Sequence, residues 1–209
     1  MRKPRIVSPW AGEKPKREAL RLEKREAVLR AAARCFADRG IEATTMDDVA
    51  SILGVTKPTV YRLFRDKSAL VEACFSRACQ PFMDALNATR AEGGSAVQQL
   101  RRYMTADLHT MIEDEFGQML MMPGIVDLYS EGSPAYRRGM EQIRRGVQEI
   151  IQEGIRDGEL KKSLDPRLLS LALFATFNRV VRWYDPRGSY SLDTIADRYF
   201  DIFLEGIRA

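Results

Sequence analysis

Apolar residues recur at helical spacing along almost the whole chain, and strand-like alternation is nearly absent. The pattern predicts long helices over residues 20–38, 95–114, 135–157, 166–183 and 192–207. Glycine and proline interrupt it at Gly93-Gly94, Pro123-Gly124, Gly132-Ser133-Pro134, Gly158 and Pro186-Arg187-Gly188. The chain is therefore predicted to be all-α.

Between residues 44 and 70 the helical elements are short and a tight turn joins the first two. Thr45 is a good N-cap, and Asp48 three residues later completes a capping box. Gly54 ends this helix, because glycine adopts the left-handed conformation that a C-terminal turn needs. Thr56 then caps the next helix. Two helices joined in this way are typical of a helix-turn-helix, whose second helix enters the major groove of DNA by its N-terminal end.

The flanking helices complete a small domain. Helix 20–38 places its apolar residues on one face, and these are Val28, Ala31, Ala32, Cys35 and Phe36. Asp66 caps a fourth helix that begins at Lys67, where backbone N–H groups and a cation can together hold a DNA phosphate. Pro81 is expected to kink or end this helix. The three-helix unit is thus predicted to stand at the N-terminal end of the chain.

The distribution of charge agrees with a DNA-binding N-terminal part. Residues 1–67 hold 16 Lys and Arg against 9 Asp and Glu, a net charge of +7, within a total of +4. The remaining residues carry a net charge of −3. A basic region confined to one end is expected when a DNA-reading domain is joined to a part that does not touch DNA.

Residues 25–70 resemble the DNA-binding pattern of the TetR family of transcriptional regulators. The matching positions are Ala31-Ala32, Cys35-Phe36, Gly40, Thr44-Thr45, Val49-Ala50, Gly54 to Tyr61, Phe64, Lys67 and Leu70. The resemblance implies phosphate contacts by Thr45, Tyr61 and Lys67. It implies base contacts by Thr56, Lys57, Pro58 and Thr59, and Thr44 and Arg62 complete the predicted DNA-binding set. Leu63 replaces a histidine or tyrosine common in the family, which leaves one phosphate contact open.

Three parts are predicted along the chain. They are a disordered basic tail at 1–18, a helix-turn-helix DNA-binding domain at 19–66, and a helical ligand-binding and dimerisation domain at 67–209. The tail has no apolar period. It either follows the DNA backbone or minor groove, as some N-terminal arms do, or is a leader with nonspecific attraction to DNA.

Two C-terminal helices predict a homodimer. Helix 166–183 is apolar around nearly its whole circumference and must be buried on more than one side, and helix 192–207 carries an apolar stripe. Together with their copies in a second subunit they would form a four-helix interface with two-fold symmetry, which is also how the TetR family dimerises. The alternative is that both helices close a monomeric core.

An effector site is predicted among the methionine-rich middle helices and helix 166–183. Its candidate residues are Met104, Met111, Phe116, Met119, Phe174, Phe177, Asn178 and Arg182. Methionine adapts to varied apolar shapes, and a buried Asn178 and Arg182 would need a polar partner. Core packing, and a pair satisfied by backbone carbonyls or a partner subunit, are the alternatives. Residues 154–188 resemble TetR-family members that respond to acyl-CoA thioesters, which implies a small hydrophobic or acyl-CoA-type effector.

Other function classes are weakly supported. The chain has one histidine, no Gly-rich phosphate loop and no nucleophile motif, so we expect neither an enzyme nor a metal or cofactor site. No segment approaches the roughly 18 apolar residues of a membrane span, so we expect a cytoplasmic protein. Two alternatives stay open: a constitutive or architectural DNA-binding protein, and a regulator switched by oxidation of Cys74 or Cys79.

Overall fold

The computed structural model describes residues 17–122 and 133–207, and within these ranges the chain is helical with no β-strand. The helices are α1 (Arg17–Arg39), α2 (Met46–Leu53), α3 (Lys57–Tyr61), α4 (Lys67–Ala78), α5 (Gln80–Glu92), α6 (Ala96–Glu113), α7 (Glu115–Leu120), α8 (Pro134–Arg156), α9 (Pro166–Val180) and α10 (Leu192–Ile207). The all-α prediction is confirmed. The predicted basic tail lies outside the described residues, except for Arg17 and Glu18 at the start of α1.

The helices form two compact units. One combines α1 to α4 with α7, and the other combines α5, α6, α8, α9 and α10. This division differs from the predicted boundary between residues 66 and 67, because α4 and α7 belong with the helix-turn-helix. The physical reason is packing: α7 lies against α1 and α4, and its Phe116 is fully buried there.

The core of the first unit forms around α1. The apolar face predicted for this helix is buried, with Val28, Ala31, Ala32, Cys35 and Phe36 at most 1% exposed. α1 packs on α2, α4 and α7, and α2 packs on α3. Removing these apolar side chains from water is the main force that holds such short helices in place, since helices of five to eight residues are not stable alone.

The core of the second unit forms around α6, which contacts each of α5, α8, α9 and α10. Its inward side is fully buried and carries Leu100, Tyr103, Met104, Leu108 and Met111. Gly139 of α8 permits a close approach to the beginning of α5, because a Cβ added there would lie 2.7 Å from the Sγ atom of Cys79.

The predicted helix boundaries hold within a few residues, with two differences. The fourth helix ends at Ala78, and Pro81 lies in the first turn of a separate α5, where its missing N–H costs little. The helix predicted over 166–183 ends at Val180 and continues as a turn. Its start is as predicted, since an Asp165 carboxylate oxygen accepts the Leu168 N–H at 2.9 Å.

Candidate DNA-binding surface and effector site

α2 has the capping geometry that its sequence predicts. The Thr45 hydroxyl accepts the Asp48 N–H at 3.2 Å, and the Asp48 carboxylate accepts the Thr45 N–H at 2.8 Å. The Thr45 hydroxyl also donates to this carboxylate at 2.7 Å, and this bond together with the Thr45 N–H bond holds the pKa of Asp48 below its usual value. Gly54 has φ 65°, the left-handed conformation that side chains disfavour, and it turns the chain from α2 towards α3. This turn fixes the direction in which α3 leaves α2.

Most of the predicted DNA-binding residues lie on the surface around α3. Exposed side chains are Thr45, Thr56, Lys57, Pro58, Tyr61 and Arg62, and Thr59 and Lys67 are half-buried. Thr56 occupies the N-cap position of α3 without a side-chain capping bond, and its hydroxyl pairs instead with the Thr59 hydroxyl at 3.0 Å. The first turn of α3 therefore presents hydroxyls and one cation outwards, which suits contact with base edges and phosphates.

The cations of this surface already have partners within the chain. Lys57 Nζ lies 2.7 Å from a carboxylate oxygen of Asp47, and hydrogen bonding to this carboxylate raises the pKa of Lys57. Lys67 Nζ donates to the Glu42 carbonyl at 3.0 Å. An Arg62 nitrogen lies 3.4 Å from the Thr59 hydroxyl. Binding to DNA would exchange these contacts for phosphate or base contacts.

Thr44 differs from the rest of the predicted set. Its side chain is 2% exposed and its hydroxyl donates to the Gly40 carbonyl at 2.8 Å. The hydroxyl therefore closes the turn between α1 and α2 and does not lie on the surface with the others.

Arg25 is a residue of this unit that the sequence did not single out. One guanidinium nitrogen donates to the Leu63 carbonyl at 3.3 Å, and the guanidinium lies 4.3 Å from the centre of the Phe64 ring. A cation stacked on an aromatic face in this way ties α1 to the residues that follow α3. Arg25 and Leu63 are 38 residues apart in the sequence, and no local sequence pattern predicts their contact.

A second cluster ties α7 to the helix-turn-helix unit. Glu115 binds Arg30 at 2.7 Å and Arg34 at 3.0 Å through its two carboxylate oxygens. The guanidinium groups of Arg30 and Arg77 lie 5.4 and 5.2 Å from the centre of the Phe116 ring. Charge pairs and cation–π contacts with little exposure hold α7 in place more firmly than surface pairs do.

The predicted effector residues are not brought together as one group. Met104, Met111 and Phe177 are buried in the α6-centred unit, and Phe174 is half-buried there. Phe116 and Met119 are buried in the other unit, with the helix-turn-helix. Packing of α7 against α1 and α4 accounts for their placement.

Within one subunit, Asn178 and Arg182 are not buried, although the sequence predicts burial. Both side chains are exposed, and Arg182 lies in the turn after α9. The physical reason is that none of the described helices covers one side of α9, so its apolar Leu168 and Leu171 are also exposed, at 66% and 43%. The all-round apolar pattern of α9 therefore does not mean burial within one subunit.

The exposed side of α9 and α10 contains an open groove of about 520 Å³. Its lining is Ala175, Thr176, Arg179, Tyr199, Ile202 and Phe203. Phe177 and Trp183 connect the two helices through contacts with the Tyr199 ring, at 6.1 and 6.2 Å between ring centres. None of the predicted effector residues lines this groove.

Polar residues missed by the sequence analysis lie inside the α6-centred unit. The Tyr103 hydroxyl donates to one carboxylate oxygen of Asp107 at 3.2 Å, and both residues are at most 3% exposed. Burial raises the pKa of Asp107 to about 7, although the Tyr103 hydrogen bond lowers it. The available signal was the helical period of α6, which places Asp107 on the same side as Tyr103 and Leu100.

The three cysteines are buried and free of disulfides. Burial raises the pKa of Cys35, Cys74 and Cys79, that of Cys79 to about 11. Since the thiolate is the form that oxidises readily, these environments weaken the case for a thiol switch.

In residues 17–122 and 133–207, no group of three His, Cys, Asp or Glu side chains is placed to hold a metal ion. None of the described helices combines the length and apolarity needed to cross a membrane.

Two protein-family models match this chain. Residues 28–74 match the model described as bacterial regulatory proteins, tetR family, and residues 93–207 match the tetracyclin repressor-like, C-terminal domain. The chain belongs to the TetR family. The HTH-type transcriptional repressor KstR2 of Mycolicibacterium smegmatis is 30% identical over 192 residues, covering 88% of this chain and 90% of that protein. The TetR-family relatives are transcriptional regulators and not enzymes.

Solved structures of the TetR family share this fold. The ketosteroid transcriptional regulator KstR2 of Mycobacterium tuberculosis aligns with a TM-score of 0.75 and 22% identity, over 95% of this chain and 98% of that one. AibR, in complex with isovaleryl coenzyme A and operator DNA, aligns with a TM-score of 0.71 and 18% identity, over 85% and 96% of the two chains.

Proposed function

We propose that the protein is a cytoplasmic transcriptional repressor that binds a near-palindromic operator as a homodimer and leaves it when a hydrophobic or acyl-CoA-type effector binds. The observation that carries the DNA-binding half is the surface around α3, where Thr56, Lys57, Thr59 and Tyr61 are held by a capped helix and a glycine turn. Such a helix terminus is suited to the major groove.

The homodimer is supported by the exposed apolar side of α9 and α10. Leu168 of α9 is 66% exposed, and Ile202, which lines the groove described above, is 71% exposed. A second copy that covers these residues would remove a continuous apolar surface from water, and a two-fold axis would place two reading helices on successive turns of one DNA face.

The effector half is supported by the apolar, methionine-containing core of the α6-centred unit and by the family. AibR, which shares the fold, was crystallised with isovaleryl coenzyme A and operator DNA. An effector releases DNA only if it binds the DNA-incompetent form more tightly, and coupling of about 5- to 150-fold is typical.

Two measurements test the proposal. For DNA reading, Lys67→Ala should weaken binding to all sequences alike, whereas Thr59→Ala should change base preference at particular positions by about 1–3 kcal/mol. For control, acyl-CoA thioesters of graded chain length and the corresponding free acids are tested for thermal stabilisation and for release of bound DNA. If DNA binds and none of these compounds stabilises the protein or releases DNA, the constitutive DNA-binding protein is the better account.

A further inference from the structure

α6 carries a row of buried polar side chains through an otherwise apolar core. Gln99, Tyr103 and Asp107 are four residues apart and lie on one side of the helix, and all three are buried. The row runs alongside Leu100, Met104 and Leu108 and leads to Met111, all of which are also buried. A polar row inside an apolar core is costly unless each polar atom has a partner.

Two hydrogen-bond acceptor atoms of this row have no partner among the described residues. The Tyr103 hydroxyl donates to one carboxylate oxygen of Asp107, and the Gln99 amide nitrogen donates to the Gly94 carbonyl at 3.0 Å. The other carboxylate oxygen of Asp107 and the amide oxygen of Gln99 have no hydrogen-bond partner among the described residues. Buried polar atoms in native proteins are nearly always paired, so an unpaired one needs an explanation.

The surroundings of Asp107 indicate what would pair with it. Tyr103 packs edge-to-face against Phe174 of α9, with 6.3 Å between ring centres, so the acid stands beside an aromatic and methionine-containing wall. Burial raises the pKa of Asp107 to about 7, so both the carboxylate and the carboxylic acid are accessible near neutral pH. A hydroxyl group suits both forms, because it donates to the first and accepts from the second.

We propose that Asp107, positioned by Tyr103, is the polar end of the effector site and that the preferred effector is an apolar molecule bearing a hydroxyl group. This inference rests on the proposed function and deepens it by naming a recognition group. An apolar chain or ring system would lie against Met104, Met111 and Phe174, and its hydroxyl would reach the unpaired Asp107 oxygen. A site built around a buried acceptor rejects the analogue that lacks the donor, because the acceptor then stays unpaired.

The test compares paired probes that differ by one hydroxyl. Dodecanoic acid and 12-hydroxydodecanoic acid, each as the free acid and as the CoA thioester, are titrated into the full-length protein by calorimetry and thermal shift. Of the two hydroxylated probes, the one with the higher affinity for the wild type should bind at least about tenfold more tightly than the same probe without the hydroxyl group.

Two variants show whether Asp107 causes this preference. Asp107→Leu should abolish it, so that the hydroxylated and the unsubstituted probe bind this variant with equal affinity. The apo variant should melt lower than the wild type, because the buried Tyr103 hydroxyl loses its acceptor. Asp107→Leu combined with Tyr103→Phe leaves neither group unpaired and should melt near the wild type. Tyr103→Phe keeps the ring against Phe174 and should reduce the preference without removing it. If Asp107→Leu fails to fold, Tyr103→Phe tests the inference instead.

The outcomes separate the inference from the proposed function. If both kinds of probe bind equally and neither variant changes this, the hydroxyl inference is overturned while effector control stands. If Asp107→Leu lowers the melting temperature and leaves probe preference unchanged, Asp107 has a structural role only and the inference is also overturned. If no probe binds any variant, both the effector proposal and the inference fail.

Discussion

The contact between Lys57 and Asp47 predicts that the free protein partly restrains its own DNA-reading cation. Lys57 Nζ and a carboxylate oxygen of Asp47 are 2.7 Å apart, and the two side chains are 49% and 58% exposed. DNA binding must break this pair before Lys57 can reach a phosphate or a base. Replacing Asp47 by Asn removes the competitor and a negative charge that faces the DNA.

The exposure of the pair sets the size of the expected effect. Ion pairs as exposed as this one shift an equilibrium by about 1.4- to 5-fold. Asp47→Asn should therefore tighten DNA binding by about 2- to 5-fold. If the freed lysine neutralises one more phosphate, the plot of log affinity against log salt concentration should steepen by about 0.9.

Fluorescence anisotropy with one labelled duplex at several salt concentrations measures both quantities. Asp84→Asn is the matched control, because Asp84 is an exposed aspartate in the other unit that pairs with Gln80. In a Lys57→Ala background the gain from Asp47→Asn should shrink. The reasoning is refuted if Asp47→Asn weakens binding, or if it acts no differently from Asp84→Asn.

Three further predictions concern capping, pH and assembly. Without DNA, Thr45→Ala should lower the free energy of unfolding of its unit by about 1 kcal/mol, and Thr56→Ala by clearly less, since only Thr45 caps through its hydroxyl; equal losses in urea unfolding would contradict this. Burial alone would lower the pKa of His109, but its two carboxylate partners raise it by more, so the net shift is upward. The stability that protonated His109 adds is therefore present below about pH 6.5 and is lost as pH rises through the raised pKa. His109→Gln should consequently lower the melting temperature more at pH 6 than at pH 9, and a pH-independent effect would count against the ion pairs. Leu168→Glu should give monomers by light scattering, whereas Leu22→Glu, a control of similar exposure in the other unit, should stay dimeric; two dimers, or two monomers, would contradict the assigned interface.

Local signals were sufficient to predict how α2 begins and ends. The capping box at Thr45 and the left-handed turn at Gly54 each depend on residues within a few positions, and the structure has both. The buried face of α1 followed from helical periodicity in the same way.

Contacts between distant residues could not be predicted in this way. Phe116 was assigned to the effector site, but it is buried with α1 and α4. The assignment failed because no local pattern tells which helix α7 will pack against. Asn178 was expected inside because its helix is apolar all round, yet no helix in the described ranges covers the side of α9 that carries it. Asp107 was missed because a single acid in an amphipathic helix is ordinarily solvent-exposed.

Selection of bound duplexes from a random pool by the full-length protein tests the central claim most directly. If the surface around α3 reads DNA in a two-fold dimer, the enriched sequences should contain an inverted repeat with half-site centres about 34–36 Å apart or a multiple of that spacing. Thr59→Ala should relax the preference at matching positions of both half-sites. Enriched sequences without an inverted repeat, or an unchanged motif for the variant, would contradict the account.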